Sequence, residues 1–158
     1  MFCRGPRGPR FLLLRRARNR SLPGIWQPVT GKLRPGEDIF RGAAREVREE
    51  TGLEPRSWWL LETMTLYPDR ATGRLRGLPL FAAEVDPRAR VKVSSEHSAY
   101  RFVSAREAAK LVLWDSQRTA LTALRRQVLG RGALARALAI PAPPGRSVRK
   151  RHSARSAR

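Results

Sequence analysis

The sequence predicts an α/β fold in a single domain, with a mixed sheet held between helices. Three observations lead there. Short apolar runs bounded by Gly and Pro read as strands, and stretches with apolar residues every three to four positions read as amphipathic helices. The two kinds alternate along the chain rather than separating into halves. The length, 158 residues, suits one hydrophobic core.

The first strand signal is Phe11–Arg16, a short apolar run between Gly/Pro/Arg segments. Met1-Phe2-Cys3 reads as the end of a preceding strand. Pro23-Gly24 marks a turn, and residues 26–30 form a short extended piece in which Pro28 favours an edge. Residues 31–36 hold two glycines and a proline and cannot propagate a helix. Asp38 is the expected N-cap of a helix running from about Ile39 or Arg41 to Thr51, and Gly52 is its left-handed stop. The expected inward stripe is Phe40, Ala43, Ala44 and Val47.

Residues 57–67 and 75–85 read as antiparallel partners joined by a turn over 69–73, with Gly77 and Pro79 marking a bulge. Residues 100–103 form a further strand. Ser104 and Glu107 have capping-box spacing for a helix to about Leu111. Residues 116–129 make a longer helix with Ala120, Leu121, Leu124 and Val128 inward. The expected domain is therefore 1–129, followed by a basic Ala/Arg/Pro-rich tail over 130–158 that reads as disordered.

Charge is distributed unevenly. The net charge is +20, and residues 1–20 carry seven arginines and no acid. The tail, likewise without acids, could contact nucleic-acid phosphates, but it has no aromatic residue on which bases could stack, so nucleic acid is not the expected partner. A phosphate-rich small molecule is the more economical use of a basic protein. No run approaches the roughly 18 apolar residues that a membrane-spanning helix needs. The single cysteine, Cys3, excludes an intrachain disulfide, and a cytoplasmic location is expected.

The chemistry concentrates in residues 31–53: Gly31, five residues, Glu37, seven residues, then Arg45-Glu46-Val47-Arg48-Glu49-Glu50-Thr51-Gly52-Leu53. Glu46, Glu49 and Glu50 fall at i, i+3 and i+4 and share one helical face. Like charges so placed repel by roughly 0.2–0.5 kcal/mol per pair on an exposed helix. A divalent cation removes that objection, because carboxylate oxygens are the ligands that Mg²⁺ and Mn²⁺ prefer.

Every fixed position of this pattern matches the Nudix box, and the chain resembles the Nudix hydrolases. The resemblance implies an α/β/α sandwich and a Mg²⁺-dependent hydrolase (Mn²⁺ as the alternative) of nucleoside diphosphates linked to another group. It implies Glu46 and Glu50 as metal ligands with Gly31 supplying a carbonyl, Glu49 beside them as a catalytic group, Arg45 binding phosphate or orienting a glutamate, and Glu37 orienting loop and helix. Outside the box, Trp26-Gln27-x-Val29-Thr30, Glu96-His97-x-Ala99-Tyr100-Arg101, and Trp114 with Arg118 resemble the dihydroneopterin triphosphate pyrophosphatase branch. That likeness implies Glu96 as metal ligand or base, Arg15 and Thr30 as substrate contacts, and a pteridine or nucleoside triphosphate as partner. Taken alone, His97 reads as an exposed or satisfied histidine. One departure from the branch is Leu113, which stands where a serine is expected.

Overall fold

The computed structural model describes residues 1–141. Its sheet is organised around the Phe11–Leu14 run, which lies in β2 (Gly8–Arg16). Strand β1 (Phe2–Gly5) pairs antiparallel with β2 through a tight turn, and β3 (Trp26–Gln27) pairs with the other end of β2. Strand β6 (His97–Val103) follows β2 over its apolar length. Phe11 faces both Phe2 and Val103, and Leu14 faces both Gln27 and Tyr100. Hence β6 holds one edge of β2, while β1 and β3 share the other.

Strand β1 runs parallel to β5 (Leu75–Glu84), β5 pairs antiparallel with β4 (Ser57–Pro68), and the sheet is mixed as expected.

Strand alternation sends neighbouring residues to opposite faces. Phe11, Leu13, Ala82 and Val103 pack with Ala108, Val112, Ala123, Leu124 and Val128 from α2 (Ala105–Leu111), the segment after it and α3 (Asp115–Leu124), which continues through a π-helical segment, Arg125–Leu129. Leu12 and Leu14 face the other way, toward Leu53 and Val85. On that side Ala44 and Val47 of α1 (Ile39–Thr51) pack on Trp58 and Ala83. Helices thus cover both faces, and the α/β/α sandwich is present. Among the described residues no helix is long and apolar enough to cross a membrane.

Local signals set the helix ends. Asp38 accepts hydrogen bonds from the Phe40 and Arg41 amides, both at 2.9 Å, and Gly52 closes α1 at φ 66°. Ser104 and Glu107 form the expected capping box. The inward stripe of α1 is narrower than expected: Ala44 and Val47 are buried, while Phe40 stays at the rim, edge-on to Phe81. In α3, Ala123 is buried beside Leu124, where Ala120 was expected.

Two features depart from the sequence reading. The β4–β5 register slips between Leu60 and Met64 opposite Pro79, so the extra residues lie on β4. The buried Gln127 serves this bulge: its Oε1 accepts from the Glu62 amide at 3.1 Å and its Nε2 donates to Thr63 Oγ1 at 3.4 Å. The second departure corrects the boundary at 129. The chain continues into α4 (Ala133–Ala137) and β7 (Ala139–Ile140), which pairs with Trp58 and Trp59 on the outer edge of β4. A bare edge beside two tryptophans would leave backbone groups and apolar surface uncovered, and β7 caps it. The remainder of the expected tail, 142–158, lies outside the described residues.

Candidate active site

Arg45 organises the site. Its Nε and Nη2 each donate at 2.8 Å to the two oxygens of Glu37, its Nη1 donates to Glu46 at 2.7 Å and Glu49 at 3.0 Å, and its Nη2 also donates to the Lys32 carbonyl at 2.9 Å. The side chain is only 13% exposed. Its donors are thus committed to protein oxygens on the loop and on α1. The bidentate pairing is the strong form of this interaction. It holds the Glu37 carboxyl down to about 2, with the Arg34 backbone amide adding to the effect, and raises the affinity of Arg45 for its proton. Glu37 thus pairs with Arg45 between the loop and α1.

Gly31 shows why the loop begins with glycine. A Cβ there would fall well under 3.0 Å from the Glu46 side chain. The Glu46 carboxylate lies directly on the loop, where the Lys32 amide also donates to it at 3.3 Å. The constraint is space rather than backbone conformation. Glu49 is the outermost of the three carboxylates, 46% exposed, and also pairs with Arg34 at 2.8 Å.

Glu50 is the unusual member. It is 6% exposed, and its Oε2 has no hydrogen-bond partner. Burial, then the charges of Glu46 and Glu96, raise its carboxyl to about 8, against the opposing pull of the Thr30 backbone amide and Arg16. A buried carboxylate without a counter-charge is costly. The loop bearing Glu96 is tied to the end of α1, since the Ser94 amide donates to the Glu50 carbonyl at 3.2 Å and the Lys92 amide to that of Thr51 at 2.8 Å. Glu96 itself is half exposed and pairs with Arg20 at 3.4 Å.

The box glutamates, Gly31, Arg45, Glu37, Thr30 and Glu96 are therefore gathered at one end of the sheet. Arg15 is not brought to the carboxylates. Alternation turns it to the face that carries Leu13, where its Nε lies 3.4 Å from the Gly24 carbonyl, and its neighbour Arg16 is the arginine whose charge reaches Glu50. His97 departs from the expectation. It is buried, both ring nitrogens lack partners, and burial followed by the charge of Arg16 lowers its affinity for a proton. No local signal distinguishes it in the sequence, because its burial comes from pairing with Arg16 across a β-bulge.

The donor chemistry can be weighed against a cation directly. Among the described residues no three Asp, Glu, His or Cys side chains already converge as a finished ligand set. What stands ready is one buried, unpartnered carboxylate oxygen on Glu50, with Glu46 and Glu96 close enough to raise its proton affinity. That arrangement fits a hard divalent ion that keeps several waters and shares its shell with phosphate.

The fold and site together define an α/β/α domain with a carboxylate-bearing helix packed under a glycine loop. The chain belongs to the Nudix family, a family of hydrolases of phosphoanhydride bonds: the family's profile, described as NUDIX domain, matches residues 1–124. Over 107 residues it is 37% identical to an octanoyltransferase of Myxococcus xanthus, a match covering 63% of this chain and 28% of that protein. Over 98 residues it is 32% identical to the mouse asymmetrical bis(5'-nucleosyl)-tetraphosphatase, covering 61% of this chain and 67% of the relative. The chain thus spans well under a third of the bacterial relative's length and about two thirds of the mouse enzyme's. The structure of Escherichia coli dihydroneopterin triphosphate pyrophosphohydrolase superposes with a TM-score of 0.64 at 23% identity, covering 82% of this chain and 92% of that one. A Caenorhabditis elegans Ap4A hydrolase superposes with 0.69 at 22%, covering 82% and 93%. At these identities the likeness is one of fold, and the pteridine branch is not singled out.

Proposed function

We propose that this chain is a divalent-cation-dependent diphosphatase that cleaves a phosphoanhydride bond in a nucleoside or pteridine triphosphate, giving a monophosphate and pyrophosphate. The observation that carries the reading is Glu50, a buried carboxyl whose Oε2 meets no protein donor and whose proton affinity is raised by burial and by two further carboxylates. A stable fold gains nothing from that arrangement unless a cation joins it.

In this reading Glu46, Glu50 and Glu96 hold the ion, Mg²⁺ first and Mn²⁺ as the alternative, with the Gly31 carbonyl as a further ligand. When bound, the cation would neutralise the phosphate chain and make water a better nucleophile. Arg45 and Glu37 fix the position of Glu46 relative to the loop, and their role is orientation. Glu49 or Glu96, both partly exposed, accepts the proton from the attacking water. Water adds to one phosphorus, the bridging oxygen leaves with the other phosphate, and the accepted proton is returned to solvent. The full set of box carboxylates favours catalysis over a nucleotide-binding regulatory module.

A second substrate reading has its own support. The mouse relative is named for asymmetrical cleavage of a dinucleoside tetraphosphate, and a site that grips phosphates near one end of such a chain would cut it unevenly. The Glu96-His97-x-Ala99-Tyr100 segment favours the pteridine triphosphate instead. Product analysis with Mg²⁺ across dihydroneopterin triphosphate, dATP, GTP, 8-oxo-dGTP, ADP-ribose and diadenosine tetraphosphate tests both. Pyrophosphate release from the triphosphates supports the first reading, and ATP plus AMP from diadenosine tetraphosphate supports the second. No metal-stimulated cleavage of any of them would contradict the hydrolase reading.

A further inference from the structure

Strand β4 is longer than what covers its outer edge. β5 accompanies it as far as Pro68. On the other side β7 reaches only Trp58 and Trp59, and the Leu138 carbonyl accepts from the Leu60 amide at 3.1 Å. Gln127 then takes the Glu62 amide. Past that point no described element pairs with β4 except β5.

The turn shows which way the remaining backbone groups point. The Asp69 amide donates to the Arg74 carbonyl at 2.8 Å, so these two residues are a hydrogen-bonded pair. Hydrogen-bonded and open pairs alternate along an antiparallel ladder. The register therefore bonds Tyr67 to Arg76 and Thr65 to Leu78, and leaves Pro68–Leu75, Leu66–Gly77 and Met64–Pro79 open. Both prolines fall at open positions, where no ladder donor is lost. Met64 and Leu66 consequently turn their amides and carbonyls to the outer edge.

Sheet edges are ordinarily blocked by charge, proline or a covering segment. Pro79 blocks the outer side of β5 here. The β4 edge has no such device: residues 63–67 are Thr-Met-Thr-Leu-Tyr, uncharged and well suited to a strand. Met64 is 55% exposed and Leu66 61%, with Leu75 on the same face at 70%. Both side chains on β4 lean inward over Gly77, where a Cβ would stand 3.1 Å from the Met64 sulfur and 3.6 Å from Leu66. Their backbone is left open on the outer side. Charge marks the two ends of this stretch. Asp69 is held by Arg76, whereas Glu62 at one end and Arg70 and Arg74 in the turn at the other form no ion pair among the described residues.

We propose that the free edge of β4 pairs antiparallel with the same edge of a second copy of this chain, about a two-fold axis at Thr65. Leu66 then exchanges two backbone hydrogen bonds with the second copy's Met64, and symmetry repeats the pair. Glu62 falls opposite the second copy's Pro68, beside the basic turn. Met64, Leu66 and Leu75 of both copies meet on the face that carries α1, since Phe81 on the same side of β5 packs there. Acid, base, apolar side chains and open backbone all lie on one stretch, so the occupant it complements is itself. Nothing in this pairing depends on the diphosphatase reading.

The test is sedimentation of the full chain from about 1 μM to a few hundred μM, because an interface this short dissociates at micromolar protein. About 0.3 M salt screens the repulsion between chains of charge +20. The expected result is a monomer–dimer equilibrium. Leu66→Pro removes the outward amide and no β4–β5 bond, so it should remain monomeric with the wild-type denaturation midpoint at low concentration. Leu66→Lys adds edge charge and should also weaken the dimer by tenfold or more; it decides the matter if the proline variant does not fold. Register is read by disulfide trapping. Across the axis Thr65 lies about 4.5 Å from its counterpart by Cα, within disulfide reach, so Thr65→Cys should cross-link on mild oxidation. Tyr67 lies about 13 Å from its own counterpart, so Tyr67→Cys should not. The native Cys3 is buried and does not compete. A wild type that stays monomeric at the highest concentration overturns the proposal, as does a dimer that both Leu66 variants leave intact. Equal cross-linking of Tyr67→Cys and Thr65→Cys overturns the register and with it the two-fold pairing.

Discussion

Substituting Gly31 by alanine tests how tightly the loop and α1 are locked. The added Cβ would overlap the Glu46 side chain, and the carboxylate must retreat by about 1 Å to clear it. It has little room, because Arg45 holds it at 2.7 Å and the Lys32 amide at 3.3 Å. Hydrogen bonds to charged groups contribute about 1.5–3 kcal/mol each when lost. The longer of these two is weak, so the net cost should be about 2 kcal/mol. That lowers the melting temperature by about 4 °C or somewhat more for a domain of this size. Turnover should fall further than stability suggests, because a misplaced catalytic group costs about a hundredfold for an error of 1 Å. Urea unfolding and kcat/KM on the same preparation measure both. Gly31→Ala with wild-type stability and wild-type turnover would refute the packing argument. Loss of stability alone would separate Glu46 from the chemistry.

Three further outcomes follow from the same geometry. Arg45→Lys keeps the charge but cannot span Glu37, Glu46, Glu49 and the Lys32 carbonyl together, so stability should fall by about 2 kcal/mol or more, and added Mg²⁺ should not restore turnover; a variant with unchanged denaturation midpoint would contradict this. Asp38→Ala removes the cap of α1 and should cost about 1 kcal/mol in chemical denaturation while leaving metal dependence intact; a loss of metal affinity would show that α1 is held by something else. The two shifted carboxyls act at opposite ends of the pH range. Glu37, held at about 2, supports the fold above the ordinary glutamate range near 4.5, and that support is lost as pH falls toward 2. Glu50, raised to about 8, takes up a proton more readily folded than unfolded, so its own contribution to the metal-free protein falls as pH rises from about 4.5 to 8. Burial lowers the proton affinity of His97 and of the Met1 amino group, which act in the opposite direction, so the wild type is compared with Glu50→Gln: the difference in denaturation midpoint from pH 5 to 9 in chelator should decline over that window and flatten when Mg²⁺ is added. A flat difference without metal would show that Glu50 is not protonated.

How much of this was legible follows from where each signal resides. Asp38, Gly52, Ser104 and Glu107 act within a few residues of themselves, and their caps could be read directly. The carboxylate face of α1 needs only helical spacing. Arg45 is different: the sequence left it between phosphate binding and orientation, and only the three-dimensional path of the loop shows its donors committed to Glu37, Glu46, Glu49 and Lys32. Arg15 and Arg16 are adjacent, and which one faces Glu50 depends on the pleat of β2 relative to α1. Ala139 and Ile140 carry no strand pattern of their own; their pairing with Trp58 and Trp59 is decided by the exposed edge they cover. Gln127 is buried because the π-helical segment sets it against a bulge on another element.

The central claim is that a divalent cation joins Glu50 at the end of α1. The most direct measurement is Mg²⁺ binding to wild type and Glu50→Gln by calorimetry in two buffers of different ionisation enthalpy near pH 7, where Glu50 carries its proton in the metal-free protein. The account predicts release of a substantial fraction of one proton per ion bound by the wild type. Glu50→Gln should still fold, and in it that release should vanish and metal-dependent turnover should be lost. Mg²⁺ binding without proton release, or a Glu50→Gln variant that binds the ion and hydrolyses as before, would contradict it.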